Sequence, residues 1–198
     1  KKHSGTLYKD GVEINLNTVD EAIDHGIVYL SEDRKTYGLI LMENVKNNIA
    51  LANLKKVSTH SVINPNEEIL QTEKYRKQLN VRSWGLGQLV QTLSGGNQQK
   101  IVLGKWLMAD PDVLLLDEPT RGIDVGAKYE IYNIINELAA KGKTILMISS
   151  EMPELLGMCD SIYVINAGEV AGIMKQKEAS QESIMKMIMT HQKTLVKE

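Results

Sequence analysis

The sequence predicts an α/β fold: a sheet core flanked by helices, with an antiparallel hairpin at its N-terminal end and a helical insert. Three observations carry this. Val113-Leu114-Leu115-Leu116 and residues 144–148 are continuous apolar runs, as in strands buried on both faces. Between them lies a helical pattern with Ile131, Ile134, Ile135 and Leu138 on one face. A strand at Ile27-Val28-Tyr29-Leu30 ends in polar Ser31-Glu32-Asp33-Arg34, the kind of strand end where open α/β sheets place their chemistry. A chain of 198 residues suits one domain, or one domain with an inserted subdomain.

The elements follow in order. Residues 6–14 alternate around Asp10-Gly11, a two-residue hairpin signal. A short helix is expected over 18–25, stopped by Gly26. Residues 42–54 have helical spacing, and a polar loop follows over 55–64. Asn64-Pro65-Asn66-Glu67 supplies an N-cap, a proline at the first helical position and an acidic first turn. That helix runs to about residue 80. The block 37–94 therefore reads as a helical subdomain inserted into a core made of 1–36 and 95–198. A further helix covers 96–109 and stops at Asp110-Pro111. The helix at 127–140 ends at Gly142. Residues 162–165 and 169–173 form a hairpin around Ala167-Gly168, and 180–191 an amphipathic helix bearing Ile184, Met187 and Ile188.

Composition narrows the function classes. Hydrophobic residues make up 42% and charged residues 24%, which excludes disordered and collagen-like chains. With 23 basic and 25 acidic residues the net charge is −2, so no electrostatic footprint for nucleic acid exists. One cysteine, Cys159, makes no internal disulfide and reads as a packing residue. Apolar runs of about five residues fall short of the ~20 that span a bilayer, and no apolar leader follows Lys1. The chain opens without an initiator methionine, which suggests a piece of a longer polypeptide. His3, His25, His60 and His191 lack metal-ligand spacing and read as surface residues. Met185, Met187 and Met189 read as packing. Trp106 reads as core, and Trp84 as either loop packing or a partner contact.

Two stretches carry chemistry. In Leu93-Ser94-Gly95-Gly96-Asn97-Gln98-Gln99, two glycines precede a helix. Backbone N–H groups there can approach a ligand closely, the helix start adds a positive dipole end, and Ser94 adds a hydroxyl. That suits a phosphate; taken alone, a plain helix cap is the alternative. In Leu114-Leu115-Leu116-Asp117-Glu118-Pro119-Thr120 a buried strand ends in adjacent carboxylates. Such a pair is costly to bury unless it holds a metal or polarises a water. Strand alternation points the two side chains differently, so Asp117 can join a Mg²⁺ shell while Glu118 faces an attacking water.

These motifs, in this order, resemble those of the ATP-binding cassette ATPases. Residues 93–98 match that family's signature motif, 114–118 its Walker B strand, and Arg121-Gly122-Ile123-Asp124 its D-loop. Three longer stretches, 31–35, 119–128 and 149–155, resemble the C-terminal cassette of bacterial monosaccharide importers of the ribose, galactose and xylose type. The resemblance implies a RecA-like sheet of the phosphate-loop class, with ATP and Mg²⁺ as cofactors. It implies nucleotide contacts by Leu93, Ser94, Gly95, Gly96, Asn97, Gln98 and Asp124, with Asp117 as metal ligand.

Departures from the family pattern shape the expected mechanism. No Gly-x-x-x-x-Gly-Lys-Ser/Thr occurs. The resemblance then implies that the chain begins just downstream of its Walker A loop, with the phosphate-loop strand missing from an incomplete sheet. Glu32 stands where the family has its Q-loop glutamine, and Ser150 where it has the switch histidine. A glutamate repels a γ-phosphate, and a serine lacks the charge-assisted donor of histidine. With Glu118, these are the catalytic positions, and the half-site they form looks unfit for hydrolysis. The signature motif is intact. The expected role is to supply Ser94, Gly95 and Gly96 in trans to the ATP site of an N-terminal cassette on the same polypeptide. Further implied partners are transmembrane permease subunits and, indirectly, a periplasmic or lipid-anchored sugar-binding protein, at the cytoplasmic face of the membrane. The alternatives are an interaction module without activity of its own and a non-transport cassette ATPase.

Overall fold

A computed structural model describes residues 4–195; the reading of His3 falls outside them. The chain divides into two compact units, Lys1–Ile148 and Ser149–Glu198.

In the first unit, β1 (Leu7–Lys9) and β2 (Val12–Ile14) pair antiparallel. Asp10 and Gly11 both take positive φ, 52° and 76°, the left-handed pair that a two-residue hairpin turn requires. Helix α1 (Val19–Asp24) starts in a capping box between Thr18 and Glu21. Strand β3 (Ile27–Leu30) runs into one π-helical turn, Arg34–Gly38, capped by the Asp33 carboxylate. Helix α2 (Val45–Ala50) and a 3₁₀ segment, Leu51–Val57, follow. Then come a small hairpin, β4 (Ser58–Thr59) with β5 (Val62–Ile63), and α3 (Pro65–Gln78). Helix α4 (Gly95–Leu107), β6 (Val113–Asp117), α5 (Val125–Ala140) and β7 (Thr144–Ile148) complete the unit. The parallel sheet has order β3-β6-β7. Helix α4 packs against β3, α2, α3 and α5. Its Ile101, Val102 and Leu103 are fully buried, beside Val45 and Ile49 of α2.

Three expectations are corrected. The helix read over 42–54 is α2 alone, because the chain leaves helical geometry at Asn53 (φ −147°, ψ 61°). There the side chain replaces helical bonding, donating to the Met108 carbonyl at 3.3 Å and accepting from Lys56 N at 3.1 Å. The loop read over 55–64 contains the β4–β5 hairpin, which turns on His60 and Ser61, both left-handed. Strand β7 was expected to be buried on both faces. Instead Leu146 and Ile148 are 52% and 47% exposed: exposure alternates along the strand, so one face of the sheet is uncovered here, and among the described residues nothing pairs with the strand's outer edge either. That open apolar edge is what an incomplete sheet presents. Central β6 does bury Leu114 and Leu116.

Lys105 of α4 makes a pH prediction. Its Nζ donates to the Gly38 carbonyl at 2.7 Å inside the core, and burial pushes its pKa down to about 8. In the unfolded chain the ammonium keeps its proton to about pH 10.4. Between those values the unfolded state binds more protons, so stability rises with pH. Denaturant titrations between pH 7.5 and 10 should show this rise, and Lys105→Met should flatten it.

The second unit holds α6 (Met152–Met158), β8 (Ser161–Asn166), β9 (Glu169–Lys175) and α7 (Gln181–Leu195). The β8–β9 hairpin turns on left-handed Ala167 and Gly168. Its inner face, Ile162, Val164 and Met174, packs with Ile184 of α7, and Met187 and Ile188 lie against this core. Met185 and Met189 of the same helix are exposed.

Candidate functional site

The start of α4 is built to leave donors open. Ser94 stands at the N-cap, but its side chain makes no cap hydrogen bond. Its Oγ accepts from Asn97 Nδ2 at 2.9 Å, and Asn97 Oδ1 accepts from Arg82 N at 2.7 Å. Asn97 thus orients the hydroxyl, while the first-turn N–H groups of Gly95, Gly96 and Asn97 stay free of a side-chain cap. A cavity of about 160 Å³ lined by Ser94, Gly96, Asn97, Lys100, Asp124, Ala127 and Glu130 opens beside this turn. The cavity fits a phosphoryl group and not a whole nucleotide. Asp124 accepts from Ala127 N at 2.9 Å and so caps α5, which brings a second helix start to the same cavity.

Close packing explains the glycines. A Cβ on Gly96 would collide with the Cβ of Ala127, so α4 and α5 touch backbone to methyl here. A Cβ on Gly95 would lie 2.8 Å from Arg34 Nη2 and 3.2 Å from the Gly122 carbonyl. Buried Lys100 fastens the seam further along. It donates to the Asn80 carbonyl at 2.9 Å and pairs with Glu130, which also takes Arg82 at 2.9 Å. The Lys100 hydrogen bond holds the Glu130 carboxyl below its usual range.

The ends of β3 and β6 form a second cluster. Tyr29 donates its hydroxyl to Asp117 Oδ2 at 2.6 Å, and this bond raises the Tyr29 pKa. Glu118, next in the chain, sits at φ 46°, a strained conformation for a residue with a Cβ. Its N–H donates to the Ile148 carbonyl at 2.9 Å. A Mg²⁺ ion takes one or two carboxylates and fills its shell with phosphates and waters. A single oriented carboxylate on Asp117 fits that pattern. Beside this cluster Glu32 pairs with Arg121, and Arg34 donates to the carbonyls of Arg121 (2.8 Å) and Gly122 (3.3 Å).

The structure thus brings Ser94, Gly96, Asn97 and Asp124 around one cavity, places Gly95 against Arg34 and the Gly122 carbonyl, and sets Asp117 and Glu118 at the end of β6. Leu93 and Gln98 turn inward: they are 9% and 5% exposed, and Gln98 Nε2 donates to the Val90 carbonyl at 3.1 Å. They hold the motif's backbone from below. Ser150 belongs to the second unit, two residues beyond β7. Sequence reasoning missed Tyr29, Arg34, Arg82 and Lys100 as supports of the site. Only the clustering of charge just after β3 signalled any of them, because each acts through partners 15 or more residues distant.

The comparisons agree with this architecture. The ABC transporter family model matches residues 1–121, and the chain belongs to that family. It is 55% identical, over 95% of its length, to the L-arabinose transport ATP-binding protein AraG of Geobacillus stearothermophilus. It is 53% identical to the xylose import ATP-binding protein XylG of Thermoanaerobacter pseudethanolicus over 93%, and 50% identical to the ribose import ATP-binding protein RbsA of Clostridium tetani over 94%. The chain spans 37%, 36% and 37% of these relatives. Its fold matches a crystallised ATP-binding cassette of an ABC transporter, MJ1267, with TM-score 0.77 at 22% identity, covering 93% of this chain and 77% of that one. It also matches the dimeric, ADP- and Pi-bound cassette MJ0796, with TM-score 0.73 at 20% identity, covering 88% and 74%.

Proposed function

We propose that this chain is the part of a sugar importer's ATP-binding protein that presents a signature motif to an ATP site completed by a partner cassette. The observation that carries the reading is the start of α4: an oriented Ser94 hydroxyl and uncapped N–H groups around a phosphoryl-sized cavity. The sequence holds no Gly-x-x-x-x-Gly-Lys-Ser/Thr of its own to bind the β- and γ-phosphates. Ser94 donates its hydroxyl to the γ-phosphate, and the N–H groups of Gly95 and Gly96 complete the cradle. Asp124, on the loop before α5, couples the two half-sites. Mg²⁺, when bound beside Asp117, neutralises charge on the phosphoryl oxygens. Glu118 and Glu32 belong to the weaker half-site.

Residues 37–94 act as the helical subdomain, and 1–36 with 95–198 as the core. The relatives' names as transport and import proteins support a monosaccharide as cargo, permease subunits as partners and a sugar-binding protein upstream of them. Trp84, 78% exposed, is the side chain we assign to the permease contact. Among the described residues no helix is long and apolar enough to cross a membrane; attachment at the cytoplasmic face follows from the proposed permease contact. Near-neutral charge weighs against nucleic acid as partner.

The test is titration calorimetry of the 198-residue chain with Mg-ATP. Because the chain supplies only the γ-phosphate end of a site, binding should be weaker than millimolar. Micromolar affinity at one site per chain overturns the reading.

A further inference from the structure

The cluster around Arg34 does more than pack. Arg34 leaves the π-helical turn after β3 and donates to two successive carbonyls, Arg121 at 2.8 Å and Gly122 at 3.3 Å. Gly122 is left-handed, φ 68°, so these carbonyls belong to a tight turn between β6 and α5. Arg34 Nη2 also lies 2.8 Å from where a Cβ on Gly95 would stand, and the Gly122 carbonyl 3.2 Å from it. One guanidinium is therefore wedged between the first residue of α4 and the turn that leads to α5. Its own loop is pinned twice more. Glu32 pairs with Arg121, and Asp33 accepts from Lys35 N, Thr36 N and Thr36 Oγ1 at 3.0, 3.1 and 2.7 Å.

We propose that Arg34 is a positioning residue that locks the loop after β3, the turn at 121–124 and the start of α4 into one moving body. This rests on the reading of α4 as the phosphate-facing element, and it names what sets that element's place. Arg supports two carbonyls at once because its donors form a planar fork, whereas Lys offers a point charge on a flexible stem. The lock also gives Glu32 a task. Paired with Arg121 it anchors the turn, and its charge is neutralised where an unpaired glutamate would repel a phosphate.

Hydrogen exchange on the 198-residue chain tests the lock. Arg34→Met should raise exchange together, by about tenfold or more, at the Gln98 amide, bonded to the Ser94 carbonyl at 2.9 Å, and at the Arg121 amide, bonded to the Glu118 carbonyl at 3.1 Å. Arg34→Lys should retain part of the protection that Arg34→Met loses. Gly95→Ala, which displaces the guanidinium from its place while leaving residue 34 an arginine, should reproduce the paired effect. Amides of α2, α3 and β6 should stay protected, a pattern that general destabilisation does not produce. If only 31–38 loosens, if neither amide changes, or if exchange rises throughout the unit for both Arg34→Met and Gly95→Ala, the proposal fails. A second measurement separates it from the function reading. In the complete transporter, paired loosening with unchanged ATP turnover upholds the lock and sinks the phosphate role of α4.

Discussion

Gly96→Ala should be among the most damaging single-methyl changes in this protein, and a second substitution should reverse it. The new methyl would occupy the space of the Ala127 methyl. Neither can yield by rotating, since both are Cβ atoms fixed to helical backbone. Helices α4 and α5 must separate, which opens the core around Ile101 and Ile131, both fully buried. Overpacking of this kind costs about 1–3 kcal/mol, and the upper end applies where only backbone can move. At this chain length a cost of about 3 kcal/mol lowers the melting temperature by about 6–12 °C. Gly96→Ala combined with Ala127→Gly moves the methyl to the other helix and should recover most of the loss. A double-mutant cycle reads the coupling directly. Should the two losses simply add, the close approach of α4 and α5 is not what the glycine serves.

Ser94→Arg should abolish ATP turnover and transport in the complete importer, while Glu118→Gln should reduce them far less. Arginine at 94 fills the cavity at the start of α4 and removes the hydroxyl that Asn97 orients. Losing one preorganised donor at such a site costs about 2.7–4 kcal/mol of transition-state stabilisation, some 10²–10³ in rate, and the added bulk blocks docking altogether. In the proposed division of labour Glu118 belongs to the weaker half-site, where Glu32 is paired with Arg121. Turnover rates of both variants, normalised to assembled transporter, decide the matter. Equal losses would reverse the division of labour between the two half-sites.

Most elements were readable because their signals are local. Thr18 with Glu21, Asn64-Pro65, and the left-handed turn pairs at Asp10-Gly11 and Ala167-Gly168 each satisfy backbone groups within a few residues. The same locality misled at 42–54, where Asn53 ends the helix by bonding to Met108, far along the chain. Helix α6 has seven residues and too few apolar positions for a periodic pattern, so the sequence did not announce it.

The signature stretch and the paired carboxylates were legible as chemistry, since Gly-Gly before a helix and Asp-Glu after a buried strand are contiguous patterns. Which of their residues face outward was not. Leu93 and Gln98 sit inside the motif yet point into the core, and Asp124 spends its carboxylate on the α5 cap. The sequence by itself determined most of the strands and helices, the hairpin turns at Asp10-Gly11 and Ala167-Gly168 and the place of the two glycines that open α4, because hydrogen bonds close over short spans. Tertiary structure alone decided that Gly96 must lack a side chain, that Arg34 braces Gly122 and that β7 is an open edge. Each of these depends on atoms brought together from distant parts of the chain, and contact at that range is set by packing, which no local pattern encodes.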